Sequence, residues 1–244
     1  MGTAPSGESG PVRQPGGLLR TLDRVLRGVG ETTGESLRGI ELQRLVVLAV
    51  LLAGIYGASV GTFGLGHDGN EPWLQLLSAA IKMPLLYALT LVVTFPSLYV
   101  FAALTRAPLF ADAMIRVLLL AIVVDAAILA SLGPVFAFFA ASTGSYSFLL
   151  LLHVLFCAIG GFVALLLLER LTAAAIPARE GQQPQGRRLL KVWGLLFGAV
   201  GAQMGWLLRP FLLAPGHEFT WLRPRDGNFV AAVFGVLRDL LQGR

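Results

Sequence analysis

Residues Trp193 to Phe211 read WGLLFGAVGAQMGWLLRPF. Gly194, Gly198, Gly201 and Gly205 recur at helical spacing, so they share one face of an apolar helix. Small residues on such a face predict close approach by neighbouring helices within a membrane. One polar side chain, Gln203, lies inside the stretch, and Arg209-Pro210 closes it. Arg209 reads either as an interfacial stop whose side chain snorkels or, since Gln203, Trp206 and Arg209 are three residues apart on one face, as part of a polar-aromatic seam directed into the bundle.

The rest of the chain has the same character. It has 244 residues, is 55% hydrophobic and 14% charged, and has a mean hydropathy of +0.73. A soluble domain carries roughly 25% charged residues. Here the charges cluster at the ends and between long apolar runs, as expected of an all-α polytopic membrane bundle. The net charge of +5 is mostly arginine, which in this setting points to orientation and anionic lipid and not to nucleic acid. The single cysteine, Cys157, excludes an internal disulfide and a thiolate metal cluster.

Residues 1–16, rich in Gly, Pro and Ser, are expected to be a disordered tail. Segment 17–44 follows as a cytoplasmic amphipathic helical segment, with Leu18, Leu22, Val25, Leu26 and Val29 on one face and Arg20, Arg24 and Arg27 beside it. That pattern fits either a membrane surface or docking onto the bundle. A transmembrane bundle over 45–209 is expected to contain about five spans, near 45–66, 83–104, 117–136, 146–168 and 192–208. Gly57 and Gly61 form a second close-packing face. Lys82 and Pro84 interrupt the helix that opens at Pro72. Pro96 kinks the second span or cuts it into two half-helices, and Pro134 bends or ends the third. The polar tail 210–244 ends in an interfacial or docking helix over 228–241, with Val230, Val233, Phe234 and Leu237 on one face.

Basic residues divide the loops by side. Six Lys and Arg precede the first span, two lie between spans two and three, and five between spans four and five. The opposite side has Lys82 and the tail. Positive-inside therefore places the N-terminus in the cytoplasm, in a plasma or inner membrane.

Asp125 is the most informative single residue, because a carboxylate at mid-bilayer must face the bundle interior and find a partner. His153, on the next and antiparallel span, is at a depth that allows it to pair with Asp125, and Gln203 belongs to the same layer. No metal-ligand spacing, nucleophile elbow or phosphate loop occurs, so an enzyme and a cofactor are not expected.

The strings Lys82-Met-Pro-Leu-Leu, Thr94-Phe-Pro-Ser-Leu-Tyr, Gly201-Ala-Gln-Met-Gly-Trp-Leu-Leu-Arg-Pro-Phe and Phe219-Thr-Trp-Leu-Arg-Pro-Arg resemble an uncharacterised family of bacterial multi-pass membrane proteins. Some of its members are labelled actin-binding WH2 proteins. The resemblance covers roughly residues 40–241 and implies a membrane bundle without a known activity. In architecture the chain is more distantly similar to five-span Yip1-type proteins, which pair a cytosolic N-terminal region with a compact bundle. Together these readings favour a non-enzymatic scaffold or accessory subunit, with the bilayer and either a protein partner or a second copy as its contacts. The alternative is a small channel or ion-coupled transporter using Asp125 and His153.

Overall fold

The computed structural model describes residues 17–28, 40–66, 72–104, 111–175, 183–208, 212 and 229–241. Seven α-helices make up this region: α1 Leu18–Gly28, α2 Leu42–Gly61, α3 Pro72–Leu104, α4 Ala111–Ser142, α5 Tyr146–Ala175, α6 Gln183–Leu208 and α7 Phe229–Leu241. A 3₁₀ turn, Thr62–Gly66, extends α2. The 1–16 tail and residues Asn228, Arg209 and Pro210 lie outside the described residues.

Four of these helices, α2 to α5, are long and apolar enough to cross a membrane, and the protein is an all-helical membrane bundle. The fifth expected span is shorter. In α6 the apolar stretch is Gly194–Leu208, 15 residues, or about 22 Å at a rise of 1.5 Å per residue. That is short of the roughly 30 Å hydrocarbon layer. The helix itself begins earlier, at Gln183, so part of the basic segment between spans four and five already forms its first turns. Pro184 suits that start, since a first-turn residue needs no intrahelical N–H.

The packing forms a ring. Gly61 of α2 lies against Leu76 and Gln75 of α3, and Gly57 lies against Ala79 and Ala80, so α2 and α3 run antiparallel. A Cβ at Gly57 or Gly61 would run into the α3 backbone, so these two glycines set the α2–α3 distance. Helix α4 runs parallel to α2. Arg116, near its start, donates to the Ile40 carbonyl, and Gly133, near its end, meets Ser59. Helix α5 returns antiparallel to α4, with Phe139 against Phe148 and Gly160 against Asp125. Ser145 begins it, its Oγ accepting from the Phe148 N–H at 3.3 Å. Helix α6 closes the ring against α3, placing Gly201 beside Thr90 and Gly205 beside Leu86. By this register Leu208 is level with Met83, about 15 Å short of the depth of Trp73.

Several sequence expectations change here. Helix α3 is continuous through Lys82, Pro84 and Pro96, and its apolar window is Trp73–Ser97 instead of 83–104. Each proline deprives the carbonyl four residues earlier of its N–H partner. Around Pro96, Thr94 Oγ1 donates to the Thr90 carbonyl and Ser97 Oγ to the Thr94 carbonyl, each at 2.7 Å. Helix α4 carries Pro134 inside it and runs on to Ser142, so the third span extends past its expected end at 136. Lys82 is not a loop residue: it is 2% exposed inside the α3 span and leaves the count of charges on the side opposite the N-terminus.

The amphipathic helices also turn differently. In α1, which packs on α2 and α4, Thr21, Val25 and Gly28 are buried, whereas Leu18 and Leu26 are exposed and Leu19 is 81% exposed. The docked face is thus about one residue away from the expected leucine stripe. Beside it, Asp23 holds the Arg27 guanidinium above its ordinary value through a 2.8 Å hydrogen bond. In α7, Val230, Phe234 and Leu237 point outward and Val236 faces the bundle, so the expected apolar face is the outer one.

Because Gly57 meets backbone and not a yielding side chain, Gly57→Val is expected to destabilise the protein by about 1–3 kcal/mol. Gly198→Ala, with open space around it, is expected to leave stability unchanged. Thermal unfolding in detergent, followed by circular dichroism, separates the two.

Candidate functional site

Helices α3, α4, α5 and α6 enclose a chamber of about 650 Å³. Its walls are mainly apolar, with Met83, Leu86, Leu129, Leu150 and Leu165 among them, and Leu212 and Val236 complete the lining. Its polar groups are Asp125 from α4, Tyr87 and Thr90 from α3, and Tyr146, His153 and Cys157 from α5. A largely apolar cavity with a few convergent polar groups is the usual form of a small-molecule site.

Asp125 is placed by a close approach and a hydrogen bond. Its Oδ1 lies on Gly160, where any Cβ would occupy the same space. Its Oδ2 accepts from the Tyr87 hydroxyl at 2.7 Å. Oδ1 itself is buried with no hydrogen-bond partner. Helices α3 and α4 are not extensively packed on one another, so the Tyr87–Asp125 bond bridges them across the chamber.

His153 lies about two helical turns from Gly160 along α5. Its Nδ1 shares a 3.0 Å hydrogen bond with the Tyr56 hydroxyl, and the two rings stack with centroids 5.7 Å apart. Phe136 presents its edge to both rings. Cys157 Sγ is 3.9 Å from His153 Nε2. The structure therefore brings Asp125 and His153 into one chamber, where Asp125 Oδ2 is bonded to Tyr87 and His153 Nδ1 to Tyr56.

The remaining expected site residues divide. Gln203 is exposed on the outer face of α6 and does not join the Asp125 layer. Trp206 lines the chamber, so the Gln203–Trp206–Arg209 seam splits between two faces, and Arg209 lies outside the described residues. The α6 glycines do not seal a helix contact along their length. Gly194 meets the Leu165 side chain and Gly205 the Leu86 side chain, Gly201 has ordinary contact with Thr90, and Gly198 faces open space. All four line the chamber as a wall of nearly bare backbone. The stripe makes room more than it brings helices together.

Two features fall outside the expected site residues, the Tyr87 partner of Asp125 and a polar face on α3. Tyr87 carries no pattern that points to Asp125, but the Gly160-Gly161 pair on α5 is a signal that something approaches there. Gln75, Ser78 and Lys82 are buried at intervals of three and four residues, a polar face of α3 that is visible in the sequence once the helix is taken as continuous.

No protein-family model matches the chain, and neither a curated protein nor a solved structure matches it. Fold and site define a helical membrane protein with an internal, mostly apolar chamber.

Adjacent glycines give a sharp test of the Asp125 placement. Gly160→Ala is expected to cost about 1–3 kcal/mol because the carboxylate must move. Gly161→Ala, with no atom within 4 Å, is expected to be near neutral. Tyr87→Phe is expected to cost roughly 0.6–1.7 kcal/mol, the range for one hydrogen bond between membrane helices. Detergent-resistant unfolding midpoints of the three variants check this ranking.

Proposed function

We propose that this chain is a non-enzymatic, multi-pass plasma-membrane protein that holds a small lipid-soluble molecule in its chamber. It acts as a binding protein or accessory subunit, alone or beside a partner. The observation that carries this reading is where the chamber opens. Among its lining residues Ala158, Phe162 and Gly198 are the exposed ones, Phe162 at 63%. Ala158 and Phe162 lie near the middle of the Tyr146–Arg170 span, so this rim faces hydrocarbon at mid-depth and not water. Helices α5 and α6 come together at Leu165 and Gly194, and the open rim lies beyond that contact.

A molecule arriving there comes from the lipid phase. Charge distribution supports a cytoplasmic N-terminus, since basic residues crowd the side from which α2 and α4 depart. A second reading, an ion-coupled transporter, is favoured by the presence of Asp125 and His153 in one chamber.

A hydrocarbon-soluble diazirine photolabel in membranes tests the leading reading. Labelling is expected on chamber residues such as Tyr87 and Leu150 and is expected to fall several-fold in Gly198→Leu. Labelling confined to outward residues such as Phe138 and Leu195 would contradict it. Proteoliposomes are expected to show no proton flux above empty vesicles, whereas flux abolished by Asp125→Asn would establish the transporter reading instead.

A further inference from the structure

We propose that the chamber selects a lipophilic cation, a quaternary ammonium or phosphonium carrying apolar groups. The proposal rests on the reading of the chamber as a site for a lipid-phase molecule and adds the sign of its charge. Asp125 is the single carboxylate among the described lining residues, and neither lysine nor arginine is among them. The other titratable lining groups are His153, Cys157, Tyr87 and Tyr146. The buried Lys82 of the same region of α3 is not part of the lining. An ionised carboxylate at mid-membrane calls for a counter-charge, and the walls supply none.

The form of the carboxylate narrows the class of cation. Oδ2 is already bonded to Tyr87 and Oδ1 is turned onto Gly160. A primary amine has to displace one of these contacts to donate its hydrogen bonds. A permanent cation without N–H groups does not, because its attraction to the carboxylate needs proximity only and grows in a low-dielectric interior. Aromatic faces complement such a charge. Tyr87, Tyr146, Phe162, Phe197 and Trp206 all line the chamber, and cations over aromatic faces are held by the ring quadrupole. Phe162 is at the exposed rim, where an incoming cation meets an aromatic face before it reaches Asp125. The bare Gly198 backbone opposite leaves space for bulky apolar substituents. An anion of the same shape meets the same apolar walls and an unfavourable carboxylate.

Tetraphenylphosphonium and tetraphenylborate have matched shape and opposite charge, and so test this directly with the purified full-length protein. The phosphonium is expected to protect Tyr87 and Leu150 from the diazirine photolabel, at concentrations at least tenfold below any at which the borate protects. In Asp125→Asn, phosphonium protection is expected to weaken at least tenfold while photolabelling itself persists. Asp125→Glu is expected to retain most of the protection. Chamber labelling with equal protection by both ions, or with phosphonium protection unchanged in Asp125→Asn, would overturn the cation assignment and leave the lipid-phase reading standing. Absence of chamber labelling from the wild-type protein would overturn both. The comparison of the two ions on the wild-type protein needs no variant, so it decides the matter even if Asp125→Asn does not fold.

Discussion

A carboxyl group in the middle of an apolar bundle must be held by other parts of the same bundle, because hydrocarbon supplies no hydrogen bonds. The Tyr87–Asp125 bond meets that requirement here, and it does so across the chamber between two helices that are otherwise not extensively packed together. Gly160 makes the arrangement possible by giving up the space that Oδ1 occupies. Gly57 and Gly61 then press α3 onto α2, and α2 carries α4 alongside it, which brings Tyr87 within reach of Asp125. The position of one polar pair therefore depends on glycines in two other helices.

The chamber follows from the same constraint. If α3 and α4 were packed directly together, Asp125 would be sealed between them. The tyrosine reaches between them, and α6, packed on α3 and α5, adds a wall that lacks side chains at Gly194, Gly198, Gly201 and Gly205. Glycine thus has two opposite roles in this chain. At Gly57 and Gly61 it removes space between helices, and at Gly198 it leaves space open. Phe162, exposed on the mid-portion of α5, also lines the chamber, and this is what supports an opening toward lipid.

Much of this was legible in the residues. The apolar runs announce a membrane bundle, and Asp125 and His153 stand out as intramembrane polar groups that belong to one interior. The misreadings have physical causes. Lys82 and Pro84 resemble a helix break, yet a proline is tolerated inside a membrane helix that is supported by its neighbours, and Lys82 is buried within the span. Polarity and the spacing to Trp206 and Arg209 both point Gln203 inward, although it is two positions from Gly201, on the opposite side of the helix from the glycine stripe. With the glycines facing the chamber, Gln203 had to face outward. The tyrosine partners were not legible, because nothing local marks which of several tyrosines a distant carboxylate will meet.

The central claim is that the chamber opens to hydrocarbon at the depth of Gly198. A nitroxide attached to Gly198→Cys, in a Cys157→Ser background and reconstituted in bilayers, reports this through power saturation by molecular oxygen and by a water-soluble nickel chelate. High oxygen accessibility with low nickel accessibility is the result the structure predicts. Nickel accessibility equal to that of an aqueous loop site would contradict it, because the chamber would then open to water.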